Sequence, residues 1–154
     1  MKYIIPIVVI AVLVIYFFLP AGNVENASGE IEIVLNNLVK SGKRKDLNVV
    51  MEYFSPDYKD SSERNYDSVR TIIKSAFDRF DNIEGGYTNL SVSRAENKNG
   101  DPQTVANLDI WIRGGKDGYS YKLVGTEDNP ENINIGFESL MLGGWKILTI
   151  EGLD

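Results

Sequence analysis

Ala106 to Arg113 reads ANLDIWIR. Ala106, Leu108, Ile110 and Ile112 form one face, and Asn107, Asp109, Trp111 and Arg113 form the other. A period of two is the signature of a strand with one face turned to a core. Turn formers flank it, with ENKNGDP (Glu96 to Pro102) before and Gly114-Gly115-Lys116-Asp117-Gly118 after. Three further strand patterns follow: Tyr119 to Gly125, Ile133 to Leu142 and Trp145 to Glu151, the last two joined at Gly143-Gly144. Leu90 and Val92 alternate with Ser91 and Ser93 just upstream.

Before Gly86 the period is 3.6. Ile31, Val34, Leu35 and Leu38 make one stripe, with Ser28 as its expected N-cap and Gly42 as its C-cap. Asp46 caps a second stripe, Leu47, Val50, Met51 and Phe54, which Pro56 ends. Val69, Ile72, Ile73, Ala76, Phe77 and Phe80 predict a longer helix over about residues 65–82, stopped by Gly85-Gly86. Three helices followed by four or five strands read as α+β, with the helices on one face of a curved antiparallel sheet.

Length and composition narrow the function. At 154 residues the chain suits one domain, here residues 29–154, after a short polar linker at 23–28. A net charge of −6, from 16 basic and 22 acidic residues, argues against a nucleic-acid partner. The chain has no Cys and no His. That excludes disulfides, thiolate chemistry, Cys-ligated metals and a Ser-His-Asp set, and it removes the usual base near neutral pH. Neither a metal-ligand pattern nor a cofactor fingerprint stands in the sequence. The oxygen-rich loop of Glu96, Asn97, Asn99 and Asp101 fails the spacing of a calcium loop and reads as a hairpin turn.

Tyr3 to Leu19 is an uncharged apolar run of 17 residues. As a helix it spans roughly 25 Å, and residues 3–22 come close to the bilayer core of about 30 Å. An uncleaved anchor, a cleaved signal peptide and a buried helix are the alternatives, the anchor being favoured by the length of the run and the poor small-residue pattern after it. With Lys2 before the run, and Glu25, Glu30 and Glu32 but no Lys or Arg between Gly22 and Val39, the expected orientation is N-terminus in the cytoplasm and domain outside. The basic cluster KSGKRK, Lys40 to Lys45, reads as a loop between helices, with lipid headgroups as the alternative contact.

The order of elements resembles the nuclear transport factor 2-like superfamily, whose fold is a cone-shaped α+β domain. The residues that carry the resemblance are the first helix with Gly42 and Asp46, MEYFSPDY (Met51 to Tyr58), SVRTIIKSAFDRF (Ser68 to Phe80) and GGWKILTIEG (Gly143 to Gly152). The resemblance implies a cavity at the wide end of the cone. In some members it holds a ligand or active site; in others it is filled and the open sheet face binds a partner. Isomerase-like members pair an acidic base with a tyrosine, while dehydratase-like members rely on the His that this chain lacks. One apolar segment followed by such a domain also resembles bridging inner-membrane components of type IV secretion systems, which carry a longer cytoplasmic tail.

Two functional expectations follow. The leading one is a membrane-tethered interaction domain without catalytic activity, binding a protein partner or a second copy through Trp111 and Arg113, an aromatic–Arg pair of the kind favoured at contact sites. The alternative is a small-ligand binder or an isomerase- or lyase-type enzyme using the cone, with Tyr53, Asp109 and Glu138 as candidate pocket residues. A base in such a pocket needs its pKa raised by desolvation.

Overall fold

The computed structural model describes residues 24–97 and 99–153. The apolar run at residues 3–22 lies outside them. Among the described residues, no helix is long and apolar enough to cross a membrane.

Among the described residues three helices precede five strands: α1 (Val24–Lys43), α2 (Leu47–Glu52), α3 (Tyr66–Arg79), β1 (Asn82–Glu96), β2 (Pro102–Lys116), β3 (Tyr119–Val124), β4 (Glu131–Ser139) and β5 (Trp145–Glu151). The expected α+β architecture therefore holds, with five strands. Several boundaries differ. α1 starts at Val24, so the stretch read as a linker is helical and Ser28 is not its cap. Gly42 lies within α1, and Lys45 takes the left-handed conformation after it (φ 55). α3 ends at Arg79, where Phe80 turns extended and buries its ring, while Gly85 and Gly86 lie inside β1. Asp46 caps α2 as expected, accepting from the Val49 N–H at 3.2 Å. Asn65 does the same for α3, accepting from Ser68 N–H at 2.9 Å.

The sheet is antiparallel, in the order β1-β2-β4-β5. Its long central strand, β2, serves two partners on one edge. Thr104–Ile110 pairs with β4, and Ile112–Lys116 pairs with β3. A bulge in β1 between Thr88 and Ser91, with Asn89 at φ 54, bends the sheet and increases its twist. The far edge of β5 is covered by the segment after α2. Ile147 N–H donates to Tyr53 O at 2.7 Å, and Ser55 N–H donates back to Ile147 O at 2.8 Å. Pairing of this kind blunts a sheet edge that would otherwise template aggregation.

The core lies between α1, α2 and the concave face of the sheet. Ile31, Leu35, Met51, Phe54, Leu108, Ile133, Phe137 and Ile147 are all buried there. Ala106 and Leu108 point inward, as their alternation predicts, while Asn107 and Asp109 look out. The oxygen-rich loop is a hairpin turn, in which Asn97 Oδ1 accepts from the N–H groups of Asn99 (2.8 Å) and Asp101 (2.9 Å).

α3 packs differently. It carries the apolar stripe Val69, Ile72, Ile73, Ala76 and Phe77, yet contributes no buried residue. Its stripe lines a cavity beside the core, with Val69, Ile73 and Phe77 packed against the core and only partly buried. This separation positions the candidate site.

Candidate functional site

The concave side of the sheet and the three helices line a cavity of about 500 Å³ that opens to solvent. Small-molecule sites range over about 300–1,000 Å³. α1 contributes Leu35, Leu38 and Val39 to the wall, and α3 contributes Val69, Ile72, Ile73 and Phe77. The sheet contributes Tyr87, Leu108, Ile110, Ile133 and Ile135. The α3 side chains are only partly buried, and the space beside them is the cavity.

One part of this apolar wall is polar. Tyr58, Asp60 and Arg64 all line the cavity. α2 ends at Glu52 with Tyr53 as its cap, ahead of the Pro56 expected to stop it. The chain then runs along β5, and the buried Ser55 hydroxyl accepts from the Asp57 N–H at 3.1 Å to hold the turn at Pro56. The turn delivers Tyr58 and Asp60 to the interior, where both are buried. The Tyr58 hydroxyl donates to Asp60 Oδ2 at 3.2 Å, and Arg64 Nε donates to the same oxygen at 2.6 Å. Asp60 Oδ1 accepts the backbone N–H groups of Ser62 and Arg64, each at 3.0 Å. A further Arg64 donor reaches Leu153 O at 3.3 Å.

These contacts set the protonation states. Burial pushes the Tyr58 phenol well above its usual range, and the neighbouring Asp60 charge and their shared hydrogen bond push it further. Burial also pushes the Asp60 carboxyl up, but the bonds and charge from Arg64 and the Tyr58 bond outweigh it and hold the group below the usual carboxylate range. Tyr58 is thus a neutral hydroxyl and Asp60 an ionised acceptor across the neutral pH range. Asp60 is the one carboxylate among the described residues that line the cavity.

The residues expected from sequence lie elsewhere. Asp109 is on the outer face of β2, where Asn132 and Asn89 donate to it at 2.7 and 2.6 Å. Those bonds lower its pKa, the reverse of what a pocket base needs. Glu138 lies opposite Lys146 across β4 and β5, away from the cone cavity. Tyr53 follows α2, half-buried against the core and outside the cavity wall. The structure brings none of the three together. Trp111 is half-buried and lies across Gly86, with Nε1 3.0 Å from where a Cβ on that glycine would stand. The Arg113 guanidinium sits 5.5 Å from the centre of the indole ring and pairs with Glu84. Tyr58 stands in the MEYFSPDY stretch, but nothing in the sequence separates it from Tyr53. Asp60 and Arg64 carry only the i, i+4 spacing of an acid–base pair.

No family model matches the chain, and no curated protein matches it in sequence. Solved structures do. One is a protein named as an aromatic ring hydroxylase from Novosphingobium aromaticivorans, at 17% identity and a TM-score of 0.63, over 82% of this chain and 89% of that one. The fold is that of the nuclear transport factor 2-like superfamily. A protein named as a scytalone dehydratase from the same organism shares the nuclear transport factor 2-like fold at 10% identity and a TM-score of 0.62, over 79% of this chain and 78% of that one. So does Bd1075 of Bdellovibrio bacteriovorus, at 10% identity and a TM-score of 0.61; 81% of this chain covers 40% of that longer one. These findings correct the leading expectation. Similar structures carrying enzyme names, and a ligand-sized cavity in the cone, overturn an interaction domain without catalytic activity.

Proposed function

We propose that the chain binds a small, largely apolar molecule in the cone, with Tyr58 and Asp60 as its polar anchor. The cavity of about 500 Å³ carries this reading. Its wall offers apolar contact to the body of a ligand and one hydrogen-bonding corner to orient it. The Tyr58 proton is directed at Asp60 and the Ile150 backbone N–H meets the phenol oxygen, which leaves one lone pair for a ligand donor. A neutral, hydroxylated, ring-containing molecule matches that arrangement. Asp60 and Arg64 already neutralise one another, which disfavours a ligand carrying a net charge at that corner.

A second reading, an isomerase- or lyase-type enzyme, draws support from neighbours named as a dehydratase and a hydroxylase. In it Tyr58, whose single proton is held by Asp60, orients the reacting group by accepting a hydrogen bond from it. Asp60, clamped by Arg64, is too weak a base to start such a reaction unaided.

The test is titration of the purified chain with hydroxylated polycyclic aromatics, beside Ile73→Trp, which fills the cavity from α3. Saturable binding to the wild type that Ile73→Trp abolishes supports the reading. Equal affinity in both refutes it. Turnover of the bound compound, lost in Tyr58→Phe, selects the enzyme reading. Separately, the uncharged run Tyr3–Leu19 supports attachment of this domain to a bilayer through residues 3–22. Flotation of the full chain with vesicles tests that attachment.

A further inference from the structure

The connection between β4 and β5 is Leu140-Met141-Leu142-Gly143-Gly144. Met141 and Leu142 are fully exposed, and Leu140 is 41% exposed. The turn is tight. Gly143 N–H donates to Leu140 O and Leu140 N–H to Gly144 O, each at 3.0 Å, with both glycines left-handed (φ 89 and 100). Hydrogen bonds therefore hold three consecutive apolar side chains out at a hairpin tip. Such a display is costly in water and marks a contact site.

Its place in the fold says what it meets. Trp145, the next residue, donates Nε1 to Glu30 Oε2 at 2.6 Å. Glu30 lies in the second turn of α1, close to where Val24 begins the described chain and the apolar run precedes it. The tip and the residues leading to that run thus share one end of the molecule. Around Trp145 lie Glu30, Asp101, Glu138 and Arg94, while the opposite end of α1 is basic. Lys40 and Lys43 sit in the last turn of α1, about 30 Å along the helix, and Lys45 Nζ donates to Phe80 O there at 2.8 Å. Lys116, at the far end of β2, lies roughly 45 Å from Pro102 along the strand. Three side chains are also far too small a patch for a stable dimer, which needs about 800 Å² per partner.

We infer that the Leu140–Leu142 tip inserts into the surface of the lipid bilayer that residues 3–22 enter. The inference rests on the bilayer attachment proposed above. Two points of contact then fix the domain's orientation on the membrane. Trp145, with an apolar ring and a bonded N–H, suits the interfacial level.

The chain has no cysteine, so Met141→Cys and Lys116→Cys each accept a single environment-sensitive fluorophore. Each full-length variant is reconstituted in phosphatidylcholine vesicles with and without doxyl-labelled lipid. The label at 141 is expected to show blue-shifted emission and loss of intensity to the lipid quencher, while that at 116 behaves as in water. A chain that fails to float with vesicles overturns the attachment and this inference together. A floating chain whose 141 label reports water overturns the tip contact alone. A blue shift at 141 that lipid quencher leaves untouched means that protein covers the tip, and also overturns it.

Discussion

The Tyr58 hydroxyl donates to Asp60 Oδ2 at 3.2 Å inside an otherwise apolar wall, and Arg64 holds the same oxygen from the other side at 2.6 Å. The relationship links the turn at Pro56 to the cavity. A hydroxyl in an apolar site is stabilised only if its proton has a partner, and a buried carboxylate only if its charge does. Each residue in the set supplies what another lacks.

Tyr58→Phe removes the phenol oxygen and leaves the Asp60–Arg64 pair in place. The fold is expected to survive with a loss of about 1 kcal/mol, the typical net contribution of one hydrogen bond. Affinity for a hydroxylated ligand is expected to fall roughly tenfold while a purely apolar probe of the same shape binds unchanged. Parallel titrations with the two probes check this.

Asp60→Ala leaves the Tyr58 hydroxyl, the Arg64 guanidinium and two backbone N–H groups without their acceptor. The Asp60 side chain is 1% exposed, but Arg64 is 33% exposed and partly rescued by water. The expected loss is therefore near the low end for a broken buried pair, about 3 kcal/mol. Urea unfolding followed by tryptophan fluorescence measures it.

Stability should depend on pH at both extremes. Asp60 titrates lower in the folded chain than in the unfolded one, so its contribution is present at neutral pH and fades as pH falls through and below about 4. Tyr58 is shifted the other way. Its contribution is full below the unfolded value of 10.0 and fades as pH rises beyond it, because the unfolded chain ionises first. Melting temperatures across pH should fall on both sides, and Tyr58→Phe should flatten mainly the alkaline side, with a smaller change on the acid side where Asp60 loses the Tyr58 bond but keeps Arg64. An unchanged alkaline limb in that variant would count against the buried phenol.

Gly114→Ala should destabilise the junction of α3 and the sheet. A Cβ there would meet the Phe80 ring at 2.5 to 2.8 Å, and Phe80 is buried with no room to retreat. Overpacking of this kind costs about 1–3 kcal/mol. Gly118→Ala, whose Cβ meets nothing, separates the steric effect from the strain of a left-handed backbone. A larger drop in melting temperature for Gly114→Ala is the expected order.

Much of the fold was legible because periodicity is local. The stripes of α1 and α2 and the alternation of Ala106 to Arg113 each follow from a few neighbouring residues and their burial. Boundaries were less legible. Gly85 and Gly86 read as helix stops, yet they pair with Ile112 and Trp111 inside β1, where a Cβ would stand 3.0 Å from Trp111 and a small residue fits best. That requirement comes from a strand some 25 residues on. The candidate pocket residues lie away from the cone cavity for a related reason. Asp109 looked unusual within its strand, but Asn89 and Asn132, on β1 and β4, satisfy it on the outer face.

The sequence by itself determined the element order, the inward face of β2, the lack of Cys and His chemistry, and an apolar run whose composition suits a bilayer. Only the assembled chain shows that the cone holds a cavity, that α3 lines it with side chains only partly buried, and that Tyr58, Asp60 and Arg64 share one corner of it. Periodicity reports which face of an element leaves water, because that depends on spacing along one segment. Whether the faces that leave water meet or stand apart depends on the twist of the sheet and the path of the chain after Pro56. Those are sums over contacts distant in sequence, and no single stretch encodes them.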